Sequence, residues 1–376
     1  MKIKRIIYVG GYTPGDAASN FVVSFCLGYA ELGLDVKLIV TVDDEKVLPP
    51  LPGIDVYPVH RNTTPILGGY LREQYEEKLI RRLYVPGESV VQYYGNPTYG
   101  FLHSKRTYPR FDTIGEVPFA DPNAKFSYKV REWIKRFATR KTEGLLVQTQ
   151  YLRDYFRNYG IMNICVYNIL IDPARFQNLK RTDTSRTIVY CGKVGLYKDG
   201  VNDLITAFSI VHQQIKYVKL KIIGGFASSE DEKILREKVH ELALDDVVEF
   251  TGKVFPSEMP QLLYNAEVLA LARPNNIQAK YGFPSKLGEY LFTGNPVVLT
   301  RVGEIDHFVK DRESCVFAKP DNPDDFAEKL LWTLKNPEVA RSIGTKGKLV
   351  AEQQFSIQSQ CRVALEFFEN CLRIKD

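Results

Sequence analysis

Segments with the spacing of strands and segments with the spacing of helices alternate along almost the whole chain of 376 residues. This alternation is typical of parallel strands joined by helical crossovers, and it predicts doubly wound α/β domains. The expected strands are residues 5–9, 35–41, 54–59, 89–93, 144–148, 187–191, 218–223, 247–251, 268–272 and 297–300. The expected helices are residues 17–32, 70–83, 125–140, 151–159 and 229–242, with others starting near residues 201, 284, 323, 337 and 356.

The alternation breaks down between residues 168 and 186, where an Asp-Pro pair is followed by a polar run. We therefore expect a first domain over residues 1–168, a linker over 169–186 and a second domain over 187–355. A last helix over 356–376 is expected to pack back toward the first domain. The chain is long enough for each domain to bury a full core.

Composition indicates a globular protein of ordinary type, with 44% apolar and 25% charged residues. Six cysteines include no C-x-x-C pair and no histidine at metal spacing, so they are expected to be free thiols of a cytoplasmic protein. The apolar run at the N-terminus is too short for a signal peptide, and no run is long enough to cross a bilayer.

The net charge of +5 belongs to the N-terminal half of the chain. Residues 125–141 carry seven Lys or Arg against Glu132, and their apolar residues fall on one helical face. A basic amphipathic helix of this kind can lie on the anionic inner face of a membrane as a peripheral contact. The alternative is a packed helix with a solvated charged face, and no nucleic acid partner is expected.

The stretch from residue 280 to residue 300 is the most informative one for function. It predicts a loop, a helix that opens at Pro284 and stops at Gly294, and a strand from residue 296. Free amides of Ser285 and Lys286, beside the Lys286 ammonium, would form an anion site. One turn later, Glu289 offers a carboxylate that can accept two neighbouring hydroxyls of a ribose. A phosphate holder and a ribose holder on one helix suggest a nucleotide.

Two glycine-rich loops follow predicted strands. Gly11, Tyr12 and Thr13 belong to the first, whose glycine spacing is not the dinucleotide pattern G-x-G-x-x-G, so the loop either approaches a ligand or simply turns tightly. The second loop, residues 192–200, carries two lysines at the carboxyl edge of a sheet, where they could neutralise a diphosphate.

Several of these motifs occur in an order that resembles the C-terminal half of family 4 (group 1) glycosyltransferases. The motifs are Gly-Lys-Val-(x)3-Lys-Asp-Gly from residue 192, Phe-Thr-Gly from 250, and Gly-Phe-Pro-Ser-Lys-Leu-Gly-Glu from 282. Asn168, Asp172 and Phe176 have the spacing of the interdomain segment in that family. The resemblance covers residues 165 to 305 well and earlier residues loosely.

This resemblance implies the GT-B fold, in which two Rossmann-like doubly wound domains face a central cleft. The nucleotide-sugar donor, UDP- or GDP-linked, would bind the second domain, and a saccharide or lipid-linked acceptor the first. Retaining transfer without a cofactor or an obligatory metal is also implied, and the chain has no Asp-x-Asp pair.

By position in the motifs, Lys193 (arginine in most relatives) and Lys198 would face the diphosphate. Ser285 and Lys286 would add contacts there, and Glu289 would hold the ribose. The other residues of the implied donor site are Tyr281, Gly282, Phe283 and Pro284.

Two positions depart from the family pattern. Relatives often have a glutamate that touches the donor sugar where this chain has Tyr281, which leaves the sugar open. Some sugar transferases of surface polysaccharide synthesis lack that glutamate as well. Glu116 falls where relatives carry a residue near the reacting carbon, and it would orient an acceptor hydroxyl or steady positive charge on the sugar; an ordinary exposed glutamate is the alternative.

The sequence thus predicts a retaining glycosyltransferase of surface polysaccharide or glycoconjugate synthesis, with Lys193, Lys198 and Glu116 as its catalytic residues. A nucleotide-sugar epimerase of the same fold would instead convert its substrate without an acceptor. A non-catalytic partner subunit would bind nucleotide without turnover, and a nicotinamide-dependent dehydrogenase has the glycine spacing against it.

Overall fold

The computed structural model describes residues 2–13, 17–44, 48, 50–61, 67–95, 107–115, 139–183 and 185–373. The chain divides into two compact units. The first unit comprises Met1–Leu170 and Ser356–Asp376, and the second comprises Ile171–Phe355. Most of the segment expected to be a linker therefore belongs to the second unit.

Each unit contains one sheet, and every pairing between the described strands is parallel. The strands are β1 Arg5–Gly11, β2 Asp35–Val42, β3 Ile54–His60, β4 Ser89–Tyr94, β5 Arg110–Ile114, β6 Gly144–Val147, β7 Ile164–Val166, β8 Thr187–Cys191, β9 Lys219–Ile223, β10 Val248–Gly252, β11 Val268–Leu271, β12 Val297–Thr300 and β13 Val316–Ala318. Their order is β3-β2-β1-β4-β5-β6-β7 in the first unit and β10-β9-β8-β11-β12-β13 in the second.

Helices connect the strands and cover the sheets. The described helices are α1 Ala17–Glu31, α2 Leu67–Leu83, α3 Gln150–Arg157, α4 Val201–Gln214, α5 Ser229–Glu241, α6 Met259–Tyr264, α7 Ile277–Tyr281, α8 Ser285–Phe292, α9 Pro323–Lys335, α10 Pro337–Gln354 and α11 Ile357–Arg373. A 3₁₀ turn, Pro173–Phe176, opens the second unit.

The structure confirms the predicted α/β class and most of the predicted elements, but the sequence analysis missed three strands. β5 reads Arg-Phe-Asp-Thr-Ile, which lacks an apolar run, and β7 and β13 are three residues each. Helix α5 begins at the predicted residue 229, and Ser228 caps it by accepting a hydrogen bond from the Asp231 N–H. The predicted basic helix over 125–140 falls outside the described residues, apart from its last two positions.

Close packing between α1 and α11 anchors the C-terminal helix in the first unit. A Cβ placed on Gly28 would lie 2.5 Å from Cys361 Sγ and 2.9 Å from the Ile357 carbonyl oxygen. On the same helix, Phe368 lies over Phe111 of β5, with ring centroids 4.1 Å apart. The missing side chain at Gly28 is thus what lets the two helices approach.

Gly28→Ala should destabilise the protein by about 1–3 kcal/mol, because an added methyl group overpacks this contact. The sign is informative, since the same change in an open helix stabilises by about 1 kcal/mol. Urea unfolding would measure the change. Ser24→Ala, at a half-buried position of α1, is the control and should change stability by less than about 0.5 kcal/mol.

The strand order of the second unit creates a switch point between β8 and β11. The chain leaves β8 toward β9 on one side, and later returns to β11 on the other side. In open parallel sheets, ligands bind outside the carboxyl ends of the strands at such a point. The loops that follow β8 and β11 are therefore the first place to look for a site.

No helix within the described ranges is both long and apolar enough to cross a membrane.

Candidate functional site

The loops that follow β8 and β11 touch through their backbones. Gly200, which precedes α4, has a left-handed φ of 63°. A Cβ at this position would lie only 1.9 Å from the carbonyl oxygen of Ala272, which directly follows β11. A second close approach joins the loops after β8 and β9, because a Cβ on Gly224 would lie 1.8 Å from the Gly192 oxygen. Glycine at both places lets three loops converge.

A buried carboxylate ties this edge together. The Asp199 side chain is 2% exposed, and its Oδ2 accepts hydrogen bonds from Lys286 Nζ at 2.7 Å and from the Tyr190 hydroxyl at 2.8 Å. Arg273 Nε lies 3.8 Å from Oδ1. Burial raises the pKa of this carboxyl, but Lys286, Arg273 and the Tyr190 hydroxyl outweigh it and hold the pKa below its usual value. Asp199 is therefore an anion held between two cations.

Helix α8 supplies the lysine of this cluster. Pro284 is its N-cap, with extended backbone, and Ser285 is the first helical residue. The helix therefore begins one residue later than predicted. The predicted stop is confirmed, because Gly294 adopts a left-handed φ of 75°. Lys286 reaches back to the loop after β8, since a Cβ on Gly192 would lie 1.8 Å from its Cε. The first-turn amides of α8 and this ammonium thus share one edge of the sheet.

Glu289 lies one turn further along α8, with 21% of its side chain exposed. Its Oε1 accepts a hydrogen bond of 2.8 Å from Arg175 Nη1. Both groups act on the Cys191 thiol at the end of β8. Burial raises the pKa of that thiol to about 12, with Glu289 raising it further and Lys286 and Arg175 opposing. The expected ribose holder is therefore already paired with an arginine.

The two loop lysines keep separate places. Lys193 is exposed, and its carbonyl oxygen lies 3.0 Å from the Tyr190 hydroxyl oxygen. Lys198 is half-buried and directly precedes Asp199. The structure thus places both lysines in the loop that Lys286 contacts.

The other expected donor residues shape the segment that precedes α8. Tyr281 is half-buried at the end of α7, and the Gly282 carbonyl accepts a 3.3 Å hydrogen bond from Arg273 Nη1. Phe283 is 8% exposed and packs edge-on against Phe308 at 5.1 Å. These contacts set where α8 begins.

The remaining expected residues belong to the first unit. Gly11 ends β1, Tyr12 donates its backbone N–H to the Thr41 oxygen at 2.9 Å, and the Thr13 N–H is bound by Ser19 Oγ at 2.8 Å. Glu116 lies outside the described residues.

Sequence reasoning missed four residues of the cluster, namely Asp199, Tyr190, Arg273 and Arg175. Asp199 belongs to the glycine-rich loop motif, but its sequence neighbours give no sign that it is buried or paired. Tyr190 lies within β8 and reads as an ordinary core residue. A signal for Arg273 was available, because this charged residue directly follows the predicted strand over residues 268–272 and so falls at the carboxyl edge of the sheet.

Among the residues that the structure describes, no group of three or more His, Cys, Asp or Glu side chains is arranged to hold a metal ion.

Comparison with known proteins finds a family match within the second unit. Residues 185–336 match the family model described as "Glycosyl transferases group 1". The match runs from just before β8 to just after α9, and so includes the Asp199 cluster and all of α8.

Curated relatives are distant. The chain is 26% identical over 261 residues to a trehalose synthase of Pyrococcus horikoshii. The aligned region covers 64% of this chain and 59% of that protein. It is 24% identical over 253 residues to an MMP alpha-(1->4)-mannosyltransferase of Mycolicibacterium hassiacum. The aligned region there covers 65% of this chain and 59% of that protein. The chain thus matches about three fifths of the length of these relatives.

The whole chain resembles solved structures. Anabaena Alr3699/HepE in complex with UDP superposes with a TM-score of 0.77 at 15% identity, covering 98% of this chain and 100% of that one. This likeness shows the GT-B fold for the two parallel-sheet units. The family match thus concerns residues 185–336, and the likeness to the solved structure concerns the fold of the chain.

Asp199→Asn should lower the free energy of unfolding by about 3 kcal/mol at pH 7, because it leaves Lys286 and Arg273 without their buried counterion. The folded pKa of Asp199 lies below its unfolded value of about 3.9, so its contribution is present above that pH and is lost as the pH falls further. The difference between wild type and variant should therefore shrink in acid, which urea unfolding at pH 7 and below pH 4 would measure.

Asp203→Asn, in α4, is the matched control. Burial raises the pKa of Asp203, so this variant should still lose the stability that Asp199 contributes when the pH falls. An equal difference between wild type and Asp199→Asn at both pH values would contradict the assigned ion pair.

Proposed function

We propose that this protein transfers a sugar from a UDP- or GDP-linked donor to a hydroxyl of a saccharide or lipid-linked acceptor, with retention at the anomeric carbon. Its role would lie in surface polysaccharide or glycoconjugate synthesis. The observation that carries the proposal is the Lys286–Asp199 pair, held against a glycine loop at the amino end of α8. This is a place where a diphosphate is bound well.

Charge at this edge favours an anionic ligand. Lys193, Lys198, Lys286 and Arg273 bring cations to the loops after β8 and β11 and to α8, whereas Asp199 is one carboxylate held between two of them. Asp199 fixes the Lys286 ammonium without neutralising the whole edge. The Lys286 ammonium and the first-turn amides of α8 suit the two phosphates of a nucleoside diphosphate.

The remaining half of the nucleotide fits the next turn of the helix. Glu289 follows Lys286 by three residues, so the two side chains lie on neighbouring positions of one helical face. A partly exposed carboxylate there can accept hydrogen bonds from both hydroxyls of a ribose. The ammonium and the carboxylate are thus neighbours that can bind the diphosphate and the ribose of one nucleotide.

The proposed reaction requires that the leaving diphosphate be stabilised. As the bond between the anomeric carbon and the diphosphate oxygen breaks, negative charge grows on the diphosphate and positive charge on the sugar. Lys193, Lys198 and Lys286 act where the negative charge develops, which is the most effective placement for catalysis. The acceptor oxygen attacks from the face that the diphosphate leaves, and its proton passes to the leaving phosphate, so no covalent enzyme intermediate is needed.

Two parts of the proposal rest on sequence alone. Glu116 is the candidate for orienting the acceptor hydroxyl, and residues 125–141 are the candidate contact with an anionic membrane surface. The nucleotide site is independent of both.

Nucleoside diphosphates should stabilise the folded protein in thermal-shift measurements with UDP, GDP, ADP and their sugars. A ligand that binds only the folded state contributes about 2.7 kcal/mol at 100 times its Kd. A rise in melting temperature with UDP or GDP is expected, and no rise with any of these compounds would sink the proposal. Conversion of a donor without any acceptor would instead identify an epimerase.

Glu289→Ala and Lys198→Ala should each reduce kcat/KM by about 10- to 100-fold while leaving the melting temperature nearly unchanged, since loss of a hydrogen bond to a charged group is worth about 1.5–3 kcal/mol. Initial rates at several donor concentrations would measure the loss. Lys219→Ala is the control, because Lys219 is exposed at the opposite, amino end of β9. Wild-type turnover in either variant would remove that residue from the site.

A further inference from the structure

Arg175 is the one charged group seen to engage the expected ribose carboxylate, within the part of the chain that the structure describes. Its Nη1 lies 2.8 Å from Glu289 Oε1, and the two residues are 114 positions apart. No other hydrogen bond of either side chain is found among the described residues. Oε2 of Glu289 therefore remains available for a ligand.

Arg175 is held in place by its own turn. Asp172 Oδ1 accepts a 2.9 Å hydrogen bond from the Ala174 N–H and so caps the 3₁₀ turn Pro173–Phe176. Phe176 is buried and stacks on Phe292 of α8, with ring centroids 5.7 Å apart and an angle of 25°. The turn and the helix are thus joined by an aromatic contact below and by the Arg175–Glu289 ion pair at the surface.

We infer that Arg175 is a positioning residue for nucleotide recognition, which holds the Glu289 carboxylate in the orientation that accepts the ribose hydroxyls. The inference rests on the proposed function and extends it to a residue outside the α8 motif. It also assigns a role to the 3₁₀ turn at the start of the second unit.

Arginine and ribose can share this carboxylate. An ionised carboxylate offers about four lone-pair positions, and Arg175 uses one of them on Oε1. The diol of a ribose needs two more. Without Arg175, the Glu289 side chain would have to lose rotamer freedom when the nucleotide binds, which weakens binding. The expected result is a loss of affinity that depends on the ribose hydroxyls.

The test is calorimetric titration of the full chain with UDP and GDP and with their 2′-deoxy forms. The wild type should bind the ribonucleotide about 10-fold more tightly than its deoxy form, a ratio that corresponds to one hydrogen bond with a charged group. Arg175→Ala should weaken ribonucleotide binding by a similar factor and bring the ratio close to one. Arg175→Lys, which keeps the positive charge, should recover part of the ribonucleotide affinity and part of the preference over the deoxy form.

A double-variant comparison separates positioning from direct contact. In the Glu289→Ala background, Arg175→Ala should change affinity by less than about twofold, because coupled residues are not additive. If the two losses multiply instead, Arg175 contacts the ligand on its own account and the inference is wrong. Tighter binding by Arg175→Ala would also overturn it, because Arg175 would then compete with the ribose.

Arg186→Ala is the matched control. Arg186 pairs with Glu267 at 3.0 Å, and the side chains are 32% and 20% exposed, against 34% and 21% for Arg175 and Glu289. That pair lies at the amino ends of β8 and β11, so its loss should leave the ribose preference intact. Wild-type protein that binds neither UDP nor GDP would refute the proposed function itself, whereas tight binding with an unchanged ribose preference in Arg175→Ala refutes only the role of Arg175.

Discussion

The buried carboxylate of Asp199 organises the carboxyl edge of the sheet in the second unit. Asp199 follows β8 in the chain, yet it binds Lys286 of α8 and lies close to Arg273, which follows β11. A charge at this depth is tolerated only when it is paired and hydrogen-bonded, so its partners must stay near it. The ion pair therefore fixes the position of α8 relative to the loop after β8, and with it the positions of the ammonium and the amides that would face a diphosphate.

Backbone contacts make this arrangement possible. Gly192 leaves the space in which the Lys286 side chain lies, and Gly200 allows its loop to touch the Ala272 carbonyl. A side chain at either position would separate the elements that Asp199 joins. Glycines in this loop are thus explained by close approach between protein segments.

Prediction from sequence succeeded where one element carried the whole signal. The amino end of α8 was placed within one residue from Pro284, and its end at Gly294 was correct, because caps depend on local backbone geometry. Strands β5 and β7 were missed because neither carries its signal locally. β5 contains polar residues and β7 is short, and their strand conformation comes from pairing with neighbours in the sheet.

The sequence by itself determined the α/β class and which side chains share α8, since helical spacing alone puts Lys286 and Glu289 on neighbouring positions. Only the tertiary structure decided what those side chains touch. The partner of Lys286 is 87 residues away and the partner of Glu289 is 114 residues away. Such pairs depend on how strands and turns meet in space, and periodicity along the chain carries no information about that meeting.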